Sequence, residues 1–436
     1  MPDRSGAQAL VARLAAWRVP RVFGQPGEAV APLVEALTAA GGEPEFVPTR
    51  HAESAAFMAA GHARLTGGLG VCLAPPGPGA YGLLSGLEAA WRPGLPVLAM
   101  VGADDPPGDP EADRPAAPEV RVERLFAVRV ERLFAGLCRH VRYAAEAGQV
   151  AQLVDEAVRY AATGAGPACL VLPRHTAPDP PSATDWPANS GPLEPELTRS
   201  GLAGSELPGS GLAGSGLTRS GLTGPGLTGS GPLEPELAGS LLDVGLVLDE
   251  LSVRLPARGS VVIDGDSILT GYARHLHPRS GLAVGDTPAG GALPYAVAAK
   301  LADPNQPVLA LTGDAGMHPH GLTELVTVAR RWPTWPDPRL VVVVLNTRTE
   351  AGYRPGTDDV PYAGWARLLG LHGVRVDRSR LVGAAWDAAL AADRPCVLEM
   401  VLDRAHRPNL ADLALLVAPK ADKRRETATE SARSPW

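Results

Sequence analysis

The stretch LALTGDAGMHPHGLTELVTVARRWPTWPDPRLVVVVLN, Leu309–Asn346, decides how this chain is expected to fold. An apolar run ends in Gly313-Asp314-Ala315-Gly316, a helical pattern follows, and a second apolar run ends at Asn346. A strand, a helix and a strand in this order predict a parallel β-α-β unit. Because open parallel sheets bind ligands at the carboxyl ends of their strands, the same stretch predicts a ligand site.

The residues at these two strand ends suit a phosphorylated ligand and a hard cation. The small residues of Gly313–Gly316 let the backbone approach a diphosphate, and amides at a helix start favour its charge. Asp314, with Asn346 or Thr347, could supply the oxygen ligands that Mg²⁺ prefers. Taken singly, Asp314 and Asn346 are better explained as ordinary turn residues.

The strand-helix alternation recurs on both sides of this stretch. Near the N-terminus, VFGQPGEAVAPLVEAL, GVCLAPPGPGAYGLLSGL and LPVLAMVG contain apolar runs, Gly/Pro turns and helical patterns. Later segments such as GSVVIDGDS and RPCVLEMVLD are also strand-like. The sequence therefore predicts an α/β protein with two doubly wound parallel-sheet domains, over residues 1–180 and 241–415.

Residues 181–240 differ in composition from both predicted domains. From Ser200 they follow a five-residue period of the SGLAG type, and GPLEPEL occurs at 191–197 and again at 231–237. A Gly/Ser/Pro-rich segment with isolated leucines predicts a flexible linker, and a regular solenoid is the less favoured alternative. We also expect residues 416–436 to form a disordered tail.

Composition excludes several partners. The net charge is −7 and no basic block interrupts the predicted domains, which argues against nucleic acid. There is no apolar run of 18 residues, so no membrane association is expected. The four cysteines are scattered, mostly in apolar runs, which favours buried free thiols and a reduced, cytoplasmic protein.

A second informative stretch is TRHAESAAFMAAGHARLTG, Thr49–Gly67, which predicts one helix. Its first turn carries a single carboxylate, Glu53. That carboxylate is either a helix-start charge favoured by the helix dipole or part of a catalytic device.

These motifs, taken in order, resemble the thiamine diphosphate-dependent family that includes acetolactate synthase, glyoxylate carboligase and pyruvate oxidase. The first block resembles the family's pyrimidine-binding domain and the last block its diphosphate-binding domain. The resemblance implies thiamine diphosphate and Mg²⁺ as cofactors and a carboligase or decarboxylase that acts on a 2-oxo acid. Asp314 would hold the metal, with Asn346 or Thr347 assisting, and residues 313–316 would cradle the diphosphate.

The resemblance also has implications for assembly. In this family the cofactor lies between domains of two subunits, so a homodimer or larger assembly is implied. The family's middle domain carries flavin in acetolactate synthase. Here only the repetitive linker stands in its place, so FAD is not expected.

One departure from the family pattern concerns activation of the cofactor. Most members have an acidic residue directly after the Arg-His pair, where it hydrogen-bonds the pyrimidine ring. Here that place is Ala52, and Glu53 follows one residue later. One residue turns a helix by about 100°, so we expect that Glu53 is not the catalytic carboxylate. Glyoxylate carboligase also has an apolar residue there, so Ala52 does not prove inactivity.

Three further departures lie in the second block. Ala315 replaces the family's second glycine, and Thr347 replaces the second residue of an Asn-Asn pair. Ala289, before Gly290, replaces a bulky residue that wedges the cofactor into a bent shape.

Two other interpretations remain. The four departures support a catalytically degenerate paralogue that acts as a binding or partner subunit. A nicotinamide-binding protein is disfavoured because no GxGxxG follows a strand. His318 and His320 could touch substrate or phosphate, although histidines beside a Pro/Gly turn are more often exposed.

Overall fold

The structure is a computed structural model that describes residues 6–103, 130–144, 146–173, 242–265, 276, 282–347 and 360–402. The chain divides into two units, Asp179–Ala238 and the remainder. All described residues belong to the larger unit, which holds both sheets. No helix among the described residues has the length and apolar character needed to cross a bilayer.

The first sheet has six parallel strands in the order β2-β1-β3-β4-β6-β5. Its strands are β1 (Arg21–Gly24), β2 (Glu45–Pro48), β3 (Gly70–Ala74), β4 (Val97–Ala103), β5 (His140–Tyr143) and β6 (Ala168–Pro173).

The second sheet also has six parallel strands, in the order β11-β12-β10-β9-β7-β8. They are β7 (Gly259–Ile263), β8 (Leu282–Asp286), β9 (Val308–Gly313), β10 (Leu340–Asn346), β11 (His372–Val376) and β12 (Cys396–Val401). The order reverses between β7 and β9, because the chain adds β8 on one side and the later strands on the other.

Helices connect the strands of both sheets. The α-helices are α1 (Gly6–Ala16), α2 (Ala31–Ala39), α3 (Ala52–Thr66), α4 (Pro78–Trp91), α5 (Val130–Phe134), α6 (Val150–Tyr160), α7 (Val244–Ser252), α8 (Ala292–Ala302), α9 (Leu322–Arg331), α10 (Tyr362–Leu368) and α11 (Val382–Leu390). A helical turn, Asp314–Gly316, and a π-turn, Met317–Gly321, lead directly into α9. Single 3₁₀ turns are Glu28–Val30, Ala147–Gln149, Trp332–Thr334 and Ser379–Leu381, and a second π-turn is Ala161–Ala165.

The apolar runs that predicted strands are the central strands of these sheets. Every residue of β10 is buried, as are those of β9 and β3. Strands buried on both faces need apolar side chains on both faces, which explains continuous apolar runs in place of alternation. The predicted fold class, two doubly wound parallel α/β domains, is confirmed.

Helix α3 joins the two domains into one core. It lies between α4 and α8. Small residues allow both approaches: a Cβ added at Gly86 would lie 2.5 Å from that of Ala56, and one at Gly61 would lie 3.0 Å from the Tyr295 ring. One apolar cluster therefore runs from the first sheet through α3 and α8 to the second.

Other predictions about organisation fall partly outside the described residues. The first sheet ends at Pro173, and the second domain is described from Leu242 to Leu402. The predicted linker 181–240 and tail 416–436 lie outside the described residues, and the domain limits stay predictions. All four cysteines are buried free thiols, as the sequence predicted.

Candidate cofactor site

The candidate site lies where β7, β9 and β10 end at one edge of the second sheet. These strands are parallel neighbours. Asp264 follows β7 directly, Asp314 follows β9, and Thr347 follows β10. Because the strand order reverses between β7 and β9, this edge is the crevice in which open α/β sheets bind ligands.

Asp314 is the central side chain of this edge. One carboxylate oxygen, Oδ2, accepts hydrogen bonds from the backbone amide and the hydroxyl of Thr347, both at 2.7 Å. The other oxygen, Oδ1, accepts a hydrogen bond of 3.0 Å from the Tyr362 hydroxyl. The carboxylate is buried and tied to both β10 and α10.

Asn346 points elsewhere. Its side-chain amide donates to Glu399 of β12 at 2.8 Å, and Glu399 also accepts hydrogen bonds from Arg375 and from the amide of Ala363. Both Asn346 and Glu399 are fully buried. Of the two residues predicted to assist Asp314, the structure brings Thr347 to it, while Asn346 belongs to a polar network between strands. The metal-binding role of either residue stays a prediction.

Asp264 was not identified from the sequence, yet it organises the base of the crevice. Its Oδ1 accepts a hydrogen bond of 2.8 Å from the amide of Gly290, and its Oδ2 one of 2.7 Å from the Thr312 hydroxyl. A Cβ at Gly316 would lie 1.9 Å from that Oδ2. Gly316 is therefore required by protein packing alone, whatever the site binds.

The two alanine departures of the second domain lie on the accessible side of the crevice. Ala315 is exposed, whereas Gly313, Asp314 and Gly316 are buried. Ala289 is also exposed, and it precedes Gly290, whose φ of 82° falls in the left-handed region that favours glycine. Neither methyl group is thus sequestered in the protein core.

The first turn of α3 places Ala52 and Glu53 differently. Ala52 is fully buried, and its amide donates to the side-chain oxygen of Gln25 at 3.1 Å. Its Cβ lies 3.2 Å from where a Cβ would stand at Gly82 of α4. Glu53 is half-buried. The first helical position of α3 therefore carries no carboxylate, and the role of Glu53 stays a prediction.

A buried glutamate connects α9 to the segment before α3. Glu324 accepts a hydrogen bond from the amide of Arg50 at 3.1 Å and one from the Thr327 hydroxyl at 2.8 Å. Burial raises the pKa of Glu324, and its hydrogen bonds oppose that shift. Nearby, Arg331 pairs with Glu45 of β2. Polar contacts thus accompany the apolar contact between the domains.

The donor set suits a cation that shares its coordination with a ligand. Among the described residues no group of three or more His, Cys, Asp or Glu could hold a metal ion. On Asp314 the crevice offers a carboxylate oxygen with spare acceptor capacity, Oδ1, on the residue that also contacts the Thr347 hydroxyl. Mg²⁺ is commonly held by one or two carboxylates together with substrate phosphates and water. The residues present fit a magnesium-diphosphate group.

Several of these contacts could not be found by scanning the sequence. Asp264, Glu324 and Tyr362 carry no local motif, and apart from Thr327, three residues from Glu324, the hydrogen-bond partners described above are 26 to 274 residues away. His318, expected to be exposed, is half-buried, and its Nε2 lies 2.7 Å from the Tyr362 hydroxyl. The side chain of His320 lies outside the described residues.

Comparison with known proteins identifies the class. The thiamine pyrophosphate enzyme N-terminal TPP binding domain matches residues 4–109, and the C-terminal TPP binding domain matches residues 269–400. The first range covers β1 to β4, and the second covers Asp314 and Thr347 but not Asp264. The chain belongs to the thiamine pyrophosphate enzyme family.

Particular relatives have named activities. The chain is 33% identical to the acetolactate synthase isozyme 2 large subunit of Escherichia coli over 195 residues, which are 44% of this chain and 31% of that protein. It is 29% identical to pyruvate oxidase of Lactiplantibacillus plantarum over 192 residues, 43% of this chain and 30% of that protein. It is 31% identical to the catabolic acetolactate synthase of Raoultella terrigena over 191 residues, 43% of this chain and 31% of that protein. The matches span less than a third of each relative.

Proposed function

We propose that this protein binds thiamine diphosphate with Mg²⁺ and acts as a carboligase or decarboxylase on a 2-oxo acid, in the manner of acetolactate synthase. The observation that carries the proposal is the contact between Asp314 and the Thr347 hydroxyl, 2.7 Å apart at the reversal of strand order. This contact supplies oxygen ligands at the place where a chain of this family is expected to hold its diphosphate.

The chain's own residues would orient the ligand. Asp314 and Thr347 would hold the cation, and the small residues of Gly313–Gly316 would let phosphate oxygens approach the backbone. The bound cofactor would supply a thiazolium carbon that adds to a carbonyl group and permits cleavage or formation of the adjacent carbon–carbon bond. Because Ala52 is apolar, no side chain at that position would exchange a proton with the cofactor.

The alternative function is a binding or partner subunit without catalysis. It is favoured by the burial of Ala52 against α4, which leaves no carboxylate at the first position of α3. The fold does not discriminate between the alternatives, because a fold can persist after its chemistry is lost. Cofactor binding and cofactor activation must be measured separately.

We further propose a homodimer, by analogy with the family. The contact of α3 with α8 supports a second arrangement, in which one chain supplies both domains of a single site. Sedimentation equilibrium over a range of concentrations distinguishes them: a stable dimer supports the first, and a monomer that binds cofactor supports the second. A cytoplasmic location and independence from flavin and nucleic acid also belong to the proposal.

Calorimetric titration with thiamine diphosphate tests the central claim. In Mg²⁺ we expect saturable binding, and in EDTA much weaker binding. Asp314→Asn should abolish the magnesium dependence, because it removes the carboxylate that is proposed to hold the cation with Thr347. Asp377→Asn, an exposed carboxylate in the same domain, is the matched control.

Three outcomes are informative. Binding with turnover of a 2-oxo acid supports the enzyme. Binding without turnover supports the partner subunit. No binding by the wild type, or equal magnesium dependence in Asp314→Asn, refutes the proposed site.

A further inference from the structure

Two side chains beside the Asp314 carboxylate, Tyr362 and His318, are given no role by the sequence motif or by the family comparison. Tyr362, the first residue of α10, is fully buried, and its hydroxyl lies 3.0 Å from Asp314 Oδ1. The same hydroxyl lies 2.7 Å from Nε2 of His318, in the π-turn Met317–Gly321. The two rings are 5.9 Å apart. Single π-turns within helices often occur at functional sites.

The direction of these hydrogen bonds follows from proton counting. A carboxylate accepts hydrogen bonds, and a tyrosine hydroxyl carries one proton. That proton is therefore directed at Asp314. The remaining short contact then requires His318 to donate from Nε2. The chain of donors runs from His318 Nε2–H through the Tyr362 hydroxyl to Asp314 Oδ1, and donors in such a chain polarise one another.

The lone pairs of the Asp314 carboxylate show what this hydrogen-bond chain controls. Each carboxylate oxygen has about two lone pairs. Both of those on Oδ2 face Thr347 donors, whereas the described residues place a single donor, Tyr362, on Oδ1. One lone pair of Oδ1 is left for a cation. The Tyr362 hydroxyl occupies the other lone pair of Oδ1 and so fixes the direction of the free one.

We propose that Tyr362 and His318 are positioning residues, which orient Asp314 so that Oδ1 presents its free lone pair to a divalent cation. The proposal rests on the proposed function for the identity of the site, but not for the hydrogen-bond chain itself. His318 acts through Tyr362, since it is the tyrosine hydroxyl that touches the carboxylate.

Metal affinity is the first test. Mn²⁺ binding in the presence of thiamine diphosphate is measured by electron paramagnetic resonance on the full chain. Tyr362→Phe should weaken Mn²⁺ binding by roughly three- to tenfold, the equivalent of one lost hydrogen bond. Tyr160→Phe makes the same chemical change in the first domain and should have no effect. Thermal unfolding of each variant checks that the loss is not a loss of fold.

A double-mutant cycle tests whether His318 acts on Asp314 through Tyr362. His318→Leu should weaken Mn²⁺ binding, and His318→Gln, whose amide can still donate, should restore it. Adding His318→Leu to Tyr362→Phe should cause a smaller loss than the same change in the wild type, because the contact between the histidine and the tyrosine hydroxyl is already gone. Unchanged affinity in Tyr362→Phe, or fully additive losses, overturns the proposal.

A cofactor-free readout separates this inference from the proposed function. Nitrogen NMR of histidine-labelled apoprotein at pH 8 should show His318 with its proton on Nε2, the signal being assigned by its absence in His318→Gln. Tyr362→Phe should alter that signal. A proton on Nδ1 would overturn the hydrogen-bond direction even if the cofactor binds. If the tautomer is as expected but neither cofactor nor metal binds, both the positioning role and the proposed function are refuted.

Discussion

The carboxylate of Glu324 accepts a hydrogen bond from the backbone amide of Arg50, 3.1 Å away, across the contact between the two sheet domains. Glu324 belongs to α9, and Arg50 lies two residues before Ala52, the first residue of α3. The bond therefore ties the start of α3, the helix that carries Glu53, to α9, the helix that follows Asp314–Gly316. A buried acid in this position also makes the contact sensitive to pH.

Glu324→Gln should change the pH dependence of stability. Burial raises the pKa of Glu324 above its ordinary value of 4.5, so the folded protein favours the protonated acid. Its contribution to stability is full below that ordinary value and is lost as pH rises through the raised pKa. The free energy of unfolding of Glu324→Gln minus that of the wild type should increase with pH. Urea denaturation from pH 4 to 8 measures it.

The control is Glu35→Gln, which alters an exposed glutamate of α2. Its difference from the wild type is the baseline against which the Glu324→Gln series is compared. A difference for Glu324→Gln that varies no more than this baseline would mean that the folded and unfolded states bind the proton alike.

His62 should contribute a pH dependence of stability opposite in sign to that of Glu324. Burial, with a smaller contribution from Arg21, lowers its pKa from 6.5 to about 4. Its stabilising contribution is present above pH 6.5 and is lost as pH falls toward 4, by about 3 kcal/mol in all. His62→Gln should remove this dependence from urea denaturation curves. His372→Gln, at an exposed histidine, should retain it.

Thr347→Val should show whether Thr347 or Asn346 is the residue that assists Asp314 in holding the metal. It removes the hydroxyl that lies 2.7 Å from Asp314 and should weaken magnesium-dependent binding of thiamine diphosphate roughly tenfold. Thr347→Ser keeps the hydroxyl and should bind normally. Equal affinities in Thr347→Val and Thr347→Ser, measured by calorimetry, would exclude a role for the hydroxyl.

Asn346→Ala should affect stability instead. It leaves the buried Glu399 without the amide that donates at 2.8 Å, and we expect a loss of about 1–3 kcal/mol in the free energy of unfolding. Cofactor affinity should change little once the protein is folded. A selective loss of magnesium-dependent binding would assign the metal role to Asn346 after all.

Glu53→Gln should leave cofactor activation unchanged. The motivation is the prediction from the sequence that Ala52, one residue earlier, takes the place of the family's usual carboxylate, together with its burial. Deuterium exchange at the thiazolium carbon should be slow in the wild type and equally slow in Glu53→Gln, since a missing carboxylate–pyrimidine bond costs roughly two decades in rate. Fast exchange in the wild type that Glu53→Gln stops would make Glu53 the activating carboxylate.

Gly316→Ala should destabilise the second domain. Its Cβ would stand 1.9 Å from Asp264 Oδ2 and 2.3 Å from the Thr312 hydroxyl, so the hydrogen bond between them must be disrupted. We expect a loss of about 2–4 kcal/mol by urea denaturation. Gly148→Ala, where a Cβ meets nothing within 4 Å, should be neutral or slightly stabilising. Similar stabilities for the two variants would contradict this packing argument.

The sheets were predictable because their signal is local. Continuous apolar runs such as Leu340–Asn346 are typical of strands covered on both faces, and the alternation of runs with helical patterns predicts parallel pairing. Asp314 was predictable for a similar reason: a Gly/Asp turn directly after such a strand has a fixed place in the fold. The resemblance to a known family adds to both inferences.

The partners of Asp314 were not predictable in the same way. Tyr362 begins a helix 48 residues later, and its hydroxyl meets the carboxylate only once that helix has packed beside the sheet. The choice between Asn346 and Thr347 likewise depends on side-chain direction. Asn346 is the last residue of β10 and reaches toward β12, whereas Thr347 is the first residue beyond it and turns to Asp314.

The shared core across α3 and α8 has a consequence for how the protein comes apart. Separating the domains would expose the interior faces of both helices, so the two sheets should unfold together in one cooperative transition despite being built from distant parts of the chain. A cut anywhere between residues 174 and 241 would break the covalent connection but leave this contact intact. The two pieces would then behave as a split protein that stays associated, with each half acting as the other's folding partner.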